Sequence, residues 1–235
     1  TLVNEIIKLN TREYDNYLEI NYPLIPKFYG TQKKNDYNYL IIQYIHGQTL
    51  KEIDLTKLNI EDKIKIIMEL MLIINYLHES KFVYRDLKPN NIIIDENKTV
   101  FLIDFDRMVK INSPIDKFED FTNDFGHEYV APEVNYGEIT YKNDIYSLGK
   151  MIHYLFTENE NKGFFSLYNK CTENDTNQRP SSMFELIYDF YSLFMSKIDQ
   201  KIFDIPEIQF IQGYIYSEGK YIDRDINKSI HYYSL

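Results

Sequence analysis

In the segment Tyr84-Arg85-Asp86-Leu87-Lys88-Pro89-Asn90-Asn91, a carboxylate, an ammonium and a carboxamide follow one another closely along the chain. A carboxylate can accept a proton, an ammonium can rest against an anion, and an amide carbonyl oxygen is a hard ligand of the kind Mg²⁺ takes. Thirteen residues past Asn91, where an apolar run ends, Asp104-Phe105-Asp106 adds two further carboxylates. Any single one of these groups is more often a solvated surface residue than a reactive one. Their order along the chain is what gives them weight.

The elements that must position them read as follows. Leu2, Ile6 and Leu9, with Val3 and Ile7 beside them, make a short helical stripe next to Glu5, so a helix is expected from Leu2 to Leu9. Lys27 to Gly30 and Tyr37 to Ile45 are β-branched and aromatic, punctuated by Gly30, Asn35 and Asp36, and predict a hairpin. A short helix is expected from Thr49 to Ile53. A long one follows from Ile60 to His78, with Ile60, Ile64, Ile67, Met71, Ile74 and Leu77 on one face. Asn91 to Asp95 and Thr99 to Asp104 flank Glu96-Asn97-Lys98 as a second hairpin, which sets Asn91 and Asp104 at strand ends. Arg107 to Val130 has no clean period and reads as a long loop, a length usually reserved for function. Helices are expected from Ile145 to Phe156, Phe164 to Cys171 and Ser182 to Phe194, the last with a cap from Ser181 or Ser182 and Glu185. The polar stretch Ser196 to Asp204, just before Pro206, reads as a linker.

Tyr84 to Asn91 resembles the catalytic loop of eukaryotic-type protein kinases, His/Tyr-Arg-Asp-Leu-Lys-Pro-x-Asn, and Asp104-Phe105-Asp106 stands where that family has its metal-binding Asp-Phe-Gly. The resemblance implies an α+β, protein-kinase-like fold with a partial small lobe and a mainly helical large lobe. Asp86 would orient the substrate hydroxyl, Lys88 would lie against the γ-phosphate of ATP, and Asn91 and Asp104 would hold Mg²⁺. Lysine two places after the aspartate is the serine/threonine pattern. Tyr39-Leu40-Ile41-Ile42-Gln43-Tyr44-Ile45-His46-Gly47 resembles the last small-lobe strand and the hinge, with Ile42 as gatekeeper and the backbones of Gln43 and Ile45 meeting adenine. Ala131-Pro132-Glu133 resembles the close of the activation segment, Arg179 the arginine that pairs with that glutamate, and Asp144 the helix aspartate that holds the catalytic-loop backbone. Glu5 fits the helix glutamate whose partner is a strand lysine; that lysine, the glycine-rich loop and three strands are expected to be missing. A literal Asp124-Phe125-Gly126 has no hydrophobic strand leading into it and is set aside as a metal site.

Two departures favour a second reading, a pseudokinase scaffold. Asp106 replaces a glycine, and Gly126-His127-Glu128-Tyr129 is one residue shorter than the family's Gly-Thr-x-x-Tyr. Gly213 to Tyr221 and Asp225 to Tyr233 resemble one Sel-like helical repeat, a relative of tetratricopeptide hairpins, which implies a protein partner. The expected organisation is thus a partial small lobe at 1–47, a large lobe at 48–197, a linker at 198–206 and one partial repeat at 207–235.

With a formal charge of −10 the chain has no basic field to gather nucleic acid or an anionic membrane surface, so neither is an expected partner. The most apolar stretch, Ile64 to Leu77, is broken by Lys65, Glu69 and Asn75 and falls short of the ~20 residues of a membrane span. The lone cysteine, Cys171, can form neither an internal disulfide nor a thiolate cluster, which favours a reducing compartment such as the cytoplasm. His46, His78, His127 and His153 read as ordinary loop and helix residues. The expected partners are a protein substrate and ATP. The segment itself is expected to transfer phosphate poorly.

Overall fold

The structure, a computed structural model, describes residues 4–8, 11–34, 37–111, 127–156, 162–195, 206–219 and 223–234. Its first element is a strand, β1 (Asn4–Lys8), followed by α1 (Thr11–Glu19), β2 (Phe28–Lys34) and β3 (Tyr37–Gln43). The three strands form an antiparallel sheet in the order β1-β3-β2. The helix expected from Leu2 to Leu9 is therefore corrected: Asn4 lies opposite Gln43 and Lys8 opposite Tyr39. Adjacent β-branched isoleucines suit an extended backbone, and β3 has hydrogen-bonding groups on both edges to satisfy. An apolar run this short does not separate the two periods. The helix lies one element later, at α1.

β4 (Gly47–Thr49) takes the place of the expected helix start at Thr49, and Glu52 closes a turn by accepting hydrogen bonds from the Thr49 amide (3.0 Å) and hydroxyl (2.8 Å). A Cβ on Gly47 would lie 2.3 Å from the carbonyl oxygen of Ile94, so only glycine lets β4 approach its neighbour this closely. α2 (Ile60–Glu79) opens with a capping box between Asn59 and Asp62. It buries Ile64, Ile67, Met71, Ile74 and Leu77 completely, whereas Ile60 at its start is exposed. Each such side chain contributes about 1.5–3 kcal/mol on burial, making α2 the axis of the large lobe.

After α2 come β5 (Phe82–Val83), β6 (Ile92–Asp95), β7 (Val100–Leu102) and β8 (Val109–Lys110). β6 and β7 form the expected hairpin, with the Asp95 carboxylate accepting from the amides of Asn97 and Thr99 across the turn. β8 pairs with β5, which orders the start of the stretch expected to be loop from Arg107 onward. Residues 112–126, including Asp124-Phe125-Gly126, lie outside the described residues.

The helices α3 (Tyr141–Leu155), α4 (Lys162–Cys171) and α5 (Met183–Met195) complete the lobe. α3 starts four residues before the expected Ile145 because Thr140 and Asn143 form a capping box ahead of it. The Glu185 cap on α5 is present, with its carboxylate accepting from the Ser181 amide (2.8 Å) and hydroxyl (2.7 Å). The hairpin of α6 (Pro206–Glu218) and α7 (Ile226–Tyr233) follows. Ile208, Ile211 and Ile215 of α6 join the same hydrophobic core as α2 and α5, and Gln212 donates to the Tyr191 hydroxyl at 2.7 Å. Among the described residues no helix is long and apolar enough to cross a membrane.

Candidate active site

The segment between β5 and β6 is held from behind by α3. Asp144, fully buried, accepts from the amides of Tyr84 (2.9 Å) and Arg85 (2.8 Å), and His78 at the end of α2 lies 2.8 Å from the same carboxylate. A three-partner carboxylate fixes the loop backbone and holds Arg85 at a φ of 71°, a left-handed conformation that arginine rarely adopts unaided. His78, read from sequence as ordinary, belongs to this clamp. Its helical period is that of the core face, and only the distant Asp144 reveals its polar role.

The loop so held presents Asp86, Lys88 and Asn91 as one bonded group. The Lys88 ammonium lies 3.1 and 3.0 Å from the two oxygens of Asp86, and Asn91 Nδ2 donates to the Asp86 carbonyl (2.9 Å) and carboxylate (2.7 Å). Arg107 approaches the same carboxylate at 3.8 Å, a neighbour the sequence reading missed. Burial raises the Asp86 carboxyl above its usual range, against the pull of Lys88, Arg107 and Asn91. The carboxylate is thus aimed by its neighbours while remaining in a partly dry setting.

Asp104, just beyond the end of β7, faces this group with a φ of 66°. One carboxylate oxygen from each of Asp86, Asp104 and Asp106 lies within 4.8 Å of the others. Burial pushes the Asp104 carboxyl up to about 7, and the charges of Asp106, Asp86 and Glu13 add to it. Such crowding of carboxylates is relieved by a cation. The donor set, all oxygen, fits a hard divalent ion, and the buried Asp106 Oδ1, with no donor among the described residues, is consistent with one.

Phe105 anchors the segment. Its ring is fully buried, edge-on to Tyr17 of α1 (centroids 5.3 Å apart) and to Tyr84 (5.5 Å). Asn16 of α1 donates to the carbonyls of Phe105 (2.6 Å) and Met108 (3.0 Å), tying that helix directly to the Asp104 segment. Glu13, on the same helix and 5 % exposed, is the glutamate that faces Asp104. The assignment of Glu5 as the helix glutamate is accordingly corrected, since Glu5 sits within β1, opposite Ile42. A signal was present: Arg12-Glu13 opens the helix ahead of the Lys27 to Gly30 strand, but Glu13 and Asn16 share the inward face of α1 with Tyr17 and break up an apolar stripe.

At the hinge, Ile42 is buried at the end of β3 and Ile45 is buried just beyond it, with Tyr44 between them exposed. The Gln43 amide donates to the Lys27 carbonyl at 2.8 Å, so that group is already engaged. Glu133 and Arg179 form a buried, bidentate ion pair at 2.7 and 2.9 Å, with Asn143 donating to the same carboxylate at 2.7 Å.

A model of the protein kinase domain matches residues 3–205. The chain belongs to the protein kinase family. Among similar proteins, the serine/threonine-protein kinase PrkC of Bacillus subtilis is 29% identical over 157 residues, covering 66% of this chain and 24% of its own length. The putative serine/threonine-protein kinase R436 of Acanthamoeba polyphaga mimivirus is 28% identical over 221 residues, 88% of this chain and 79% of its own. The serine/threonine-protein kinase PknB of Mycolicibacterium smegmatis is 29% identical over 154 residues, 62% of this chain and 25% of its own. The chain thus spans about a quarter of the two bacterial relatives and most of the viral one. The bonded trio Asp86, Lys88 and Asn91 and the facing Asp104 all lie within the matched residues.

Proposed function

We propose that the protein carrying this domain transfers the γ-phosphoryl group of ATP to a serine or threonine hydroxyl of a protein. The observation that carries this reading is the convergence of Asp86, Lys88 and Asn91 into one hydrogen-bonded group beside the Asp104 carboxylate. Asp86 orients the hydroxyl and takes its proton late in the transfer. Lys88, already beside Asp86, offsets charge on the γ-phosphate. Asn91 and Asp104 would hold Mg²⁺, which when bound neutralises charge building on the phosphates. The Ile45 backbone and the Gln43 carbonyl are the hinge groups assigned to adenine, with Ile42 behind them; the Gln43 amide is occupied by Lys27.

Glu13 takes the role first given to Glu5, and Lys8, which closes the strand just before α1, becomes its assigned strand lysine. The sequence holds no Gly-x-Gly-x-x-Gly, so residues 1–235 alone are assigned weak transfer activity. Positioning of the phosphates supplies several kcal/mol of such a barrier. Lysine two places after Asp86 supports serine/threonine specificity, and so does the likeness to the three serine/threonine-protein kinases above.

The alternative reading, a pseudokinase scaffold, is favoured by two departures, Asp106 in place of glycine and the short run Gly126-His127-Glu128-Tyr129. On either reading the α6–α7 hairpin is assigned as a Sel-like repeat that meets a protein partner. The experiment is transfer from γ-labelled ATP to a mixed protein substrate by the full-length parent, followed by phosphoamino-acid analysis. Label on serine or threonine that disappears in Asp86→Asn supports the enzyme. Mg²⁺-dependent ATP binding without any transfer supports the scaffold.

A further inference from the structure

Asp106 stands where the family has glycine, and the structure gives its side chain a definite place. The backbone there has no left-handed φ; that conformation falls on Asp104 instead. A carboxylate is therefore accommodated without the freedom that only glycine provides. Asp106 Oδ1 is buried and has no hydrogen-bond partner among the described residues, while a carboxylate oxygen of Asp106 lies within 4.8 Å of oxygens of both Asp104 and Asp86. A buried carboxylate oxygen without a donor, set against two like charges, attracts a cation. Lys88 and Arg107 both approach Asp86.

The segment that carries Asp106 is held in place. Phe105 is clasped between Tyr17 and Tyr84, and Asn16 holds the carbonyls on either side of Asp106 at Phe105 and Met108. With its neighbours fixed, Asp106 stays turned toward the Asp104 carboxylate.

We propose that Asp106 is a direct ligand of the divalent cation held by Asp104, so that the kinase domain takes up a hard divalent ion before any nucleotide arrives. This rests on the phosphoryl-transfer reading for the Asp104 site. Mg²⁺ sites of nucleotide enzymes ordinarily combine one or two carboxylates with the substrate's phosphates, and the ion is then recruited largely by the nucleotide. Replacing the glycine with a carboxylate moves part of that ligation onto the protein. The chemistry selects hard divalent ions of modest size, Mg²⁺ and Mn²⁺, over softer metals.

The test uses Mn²⁺ alone, titrated into the nucleotide-free chain with free Mn²⁺ read by electron paramagnetic resonance. The expected result is one Mn²⁺ bound, displaced by Mg²⁺, with affinity at least ten-fold weaker in Asp106→Asn and Asp106→Gly. Thermal unfolding provides a second readout whose sign a simple folding defect does not reproduce. Without metal, Asp106→Asn melts at or above the wild-type temperature because a like charge is removed, and with Mn²⁺ the wild type gains more. Equal Mn²⁺ affinity in wild type and Asp106→Asn overturns the proposal, as does a metal-free Asp106→Asn that melts lower. Mg²⁺-dependent ATP binding by Asp106→Gly separates this result from the parent reading. If that binding persists while the Mn²⁺ affinities are equal, only the role of Asp106 fails; if wild type binds Mn²⁺ but the full-length parent binds no ATP, the kinase reading fails and the cation site stands.

Discussion

Replacing Asp144 with asparagine is a stringent probe of how the catalytic loop is held. The carboxylate serves two amides through different oxygens, Arg85 at Oδ1 and Tyr84 at Oδ2, and His78 shares the second. In the better of its two orientations, the asparagine oxygen keeps Tyr84 and His78 and turns its NH₂ toward the Arg85 amide. That amide is then buried without an acceptor, at about 1–3 kcal/mol, and the two surviving bonds each lose about 1 kcal/mol as a charged acceptor becomes neutral. The total is about 3–5 kcal/mol, a large share of the ~5–15 kcal/mol that stabilises a typical domain. The φ of 71° at Arg85 loses its anchor too, so Asp86 shifts relative to Asp104. Urea unfolding of wild type and Asp144→Asn measures the first effect, and Mg²⁺-dependent ATP binding the second. A variant within 1 kcal/mol of wild type, with unaltered binding, refutes the clamp.

Arg179→Met leaves the Glu133 carboxylate buried without its ion partner, and chemical denaturation should show a loss of about 3–5 kcal/mol, partly restored by adding Glu133→Gln. Burial raises the Glu133 carboxyl, but the bonds from Arg179 and Asn143 outweigh it and hold the group below its usual range. Its contribution is therefore full above the unfolded carboxylate value and lost as pH falls through the lower folded one, and stability curves of Arg179→Met should be flatter in acid. Glu185 behaves in the same sense: burial opposes, yet Ser181 and Lys170 bring its carboxyl down from 4.5 to about 2, so the α5 cap should weaken between those values, as seen by circular dichroism of wild type against Glu185→Gln. In the C-terminal hairpin a Cβ at Gly213 would lie 2.6 Å from the Tyr233 ring, so Gly213→Ala should loosen α7 by about 1–3 kcal/mol, seen as faster proteolysis near Tyr233 with the kinase lobe's melting unchanged.

The grouping of Asp86, Lys88 and Asn91 was legible because it depends on closely spaced residues. Asp86, Lys88 and Asn91 are near in sequence, and the single 3-10 turn Pro89–Asn91 brings them together. Glu133 with Arg179 and Asp144 with the loop backbone could be placed by resemblance, although no local pattern announces contacts over such separations. α1 was hidden for a physical reason. Its inward face carries Glu13 and Asn16 beside Tyr17, all buried, while Leu18 faces outward, because the helix packs on a polar site. No apolar stripe marks such a helix, whereas the neighbouring Ile6-Ile7 run carries an apolar signal of its own. The strands β4 and β8 are too short to carry a period, and they form because β6 and β5 offer edges to pair with.

On the proposed function, Asp86, Asn91 and Asp104 form one metal-dependent nucleotide site. Calorimetric titration of ATP into this chain, with Mg²⁺ and with the metal chelated, measures it directly in wild type and Asp104→Ala. The account predicts binding that requires Mg²⁺ and weakens at least ten-fold in Asp104→Ala, about 1.4 kcal/mol or more. ATP bound equally well without metal, or unaffected by the loss of Asp104, would contradict it.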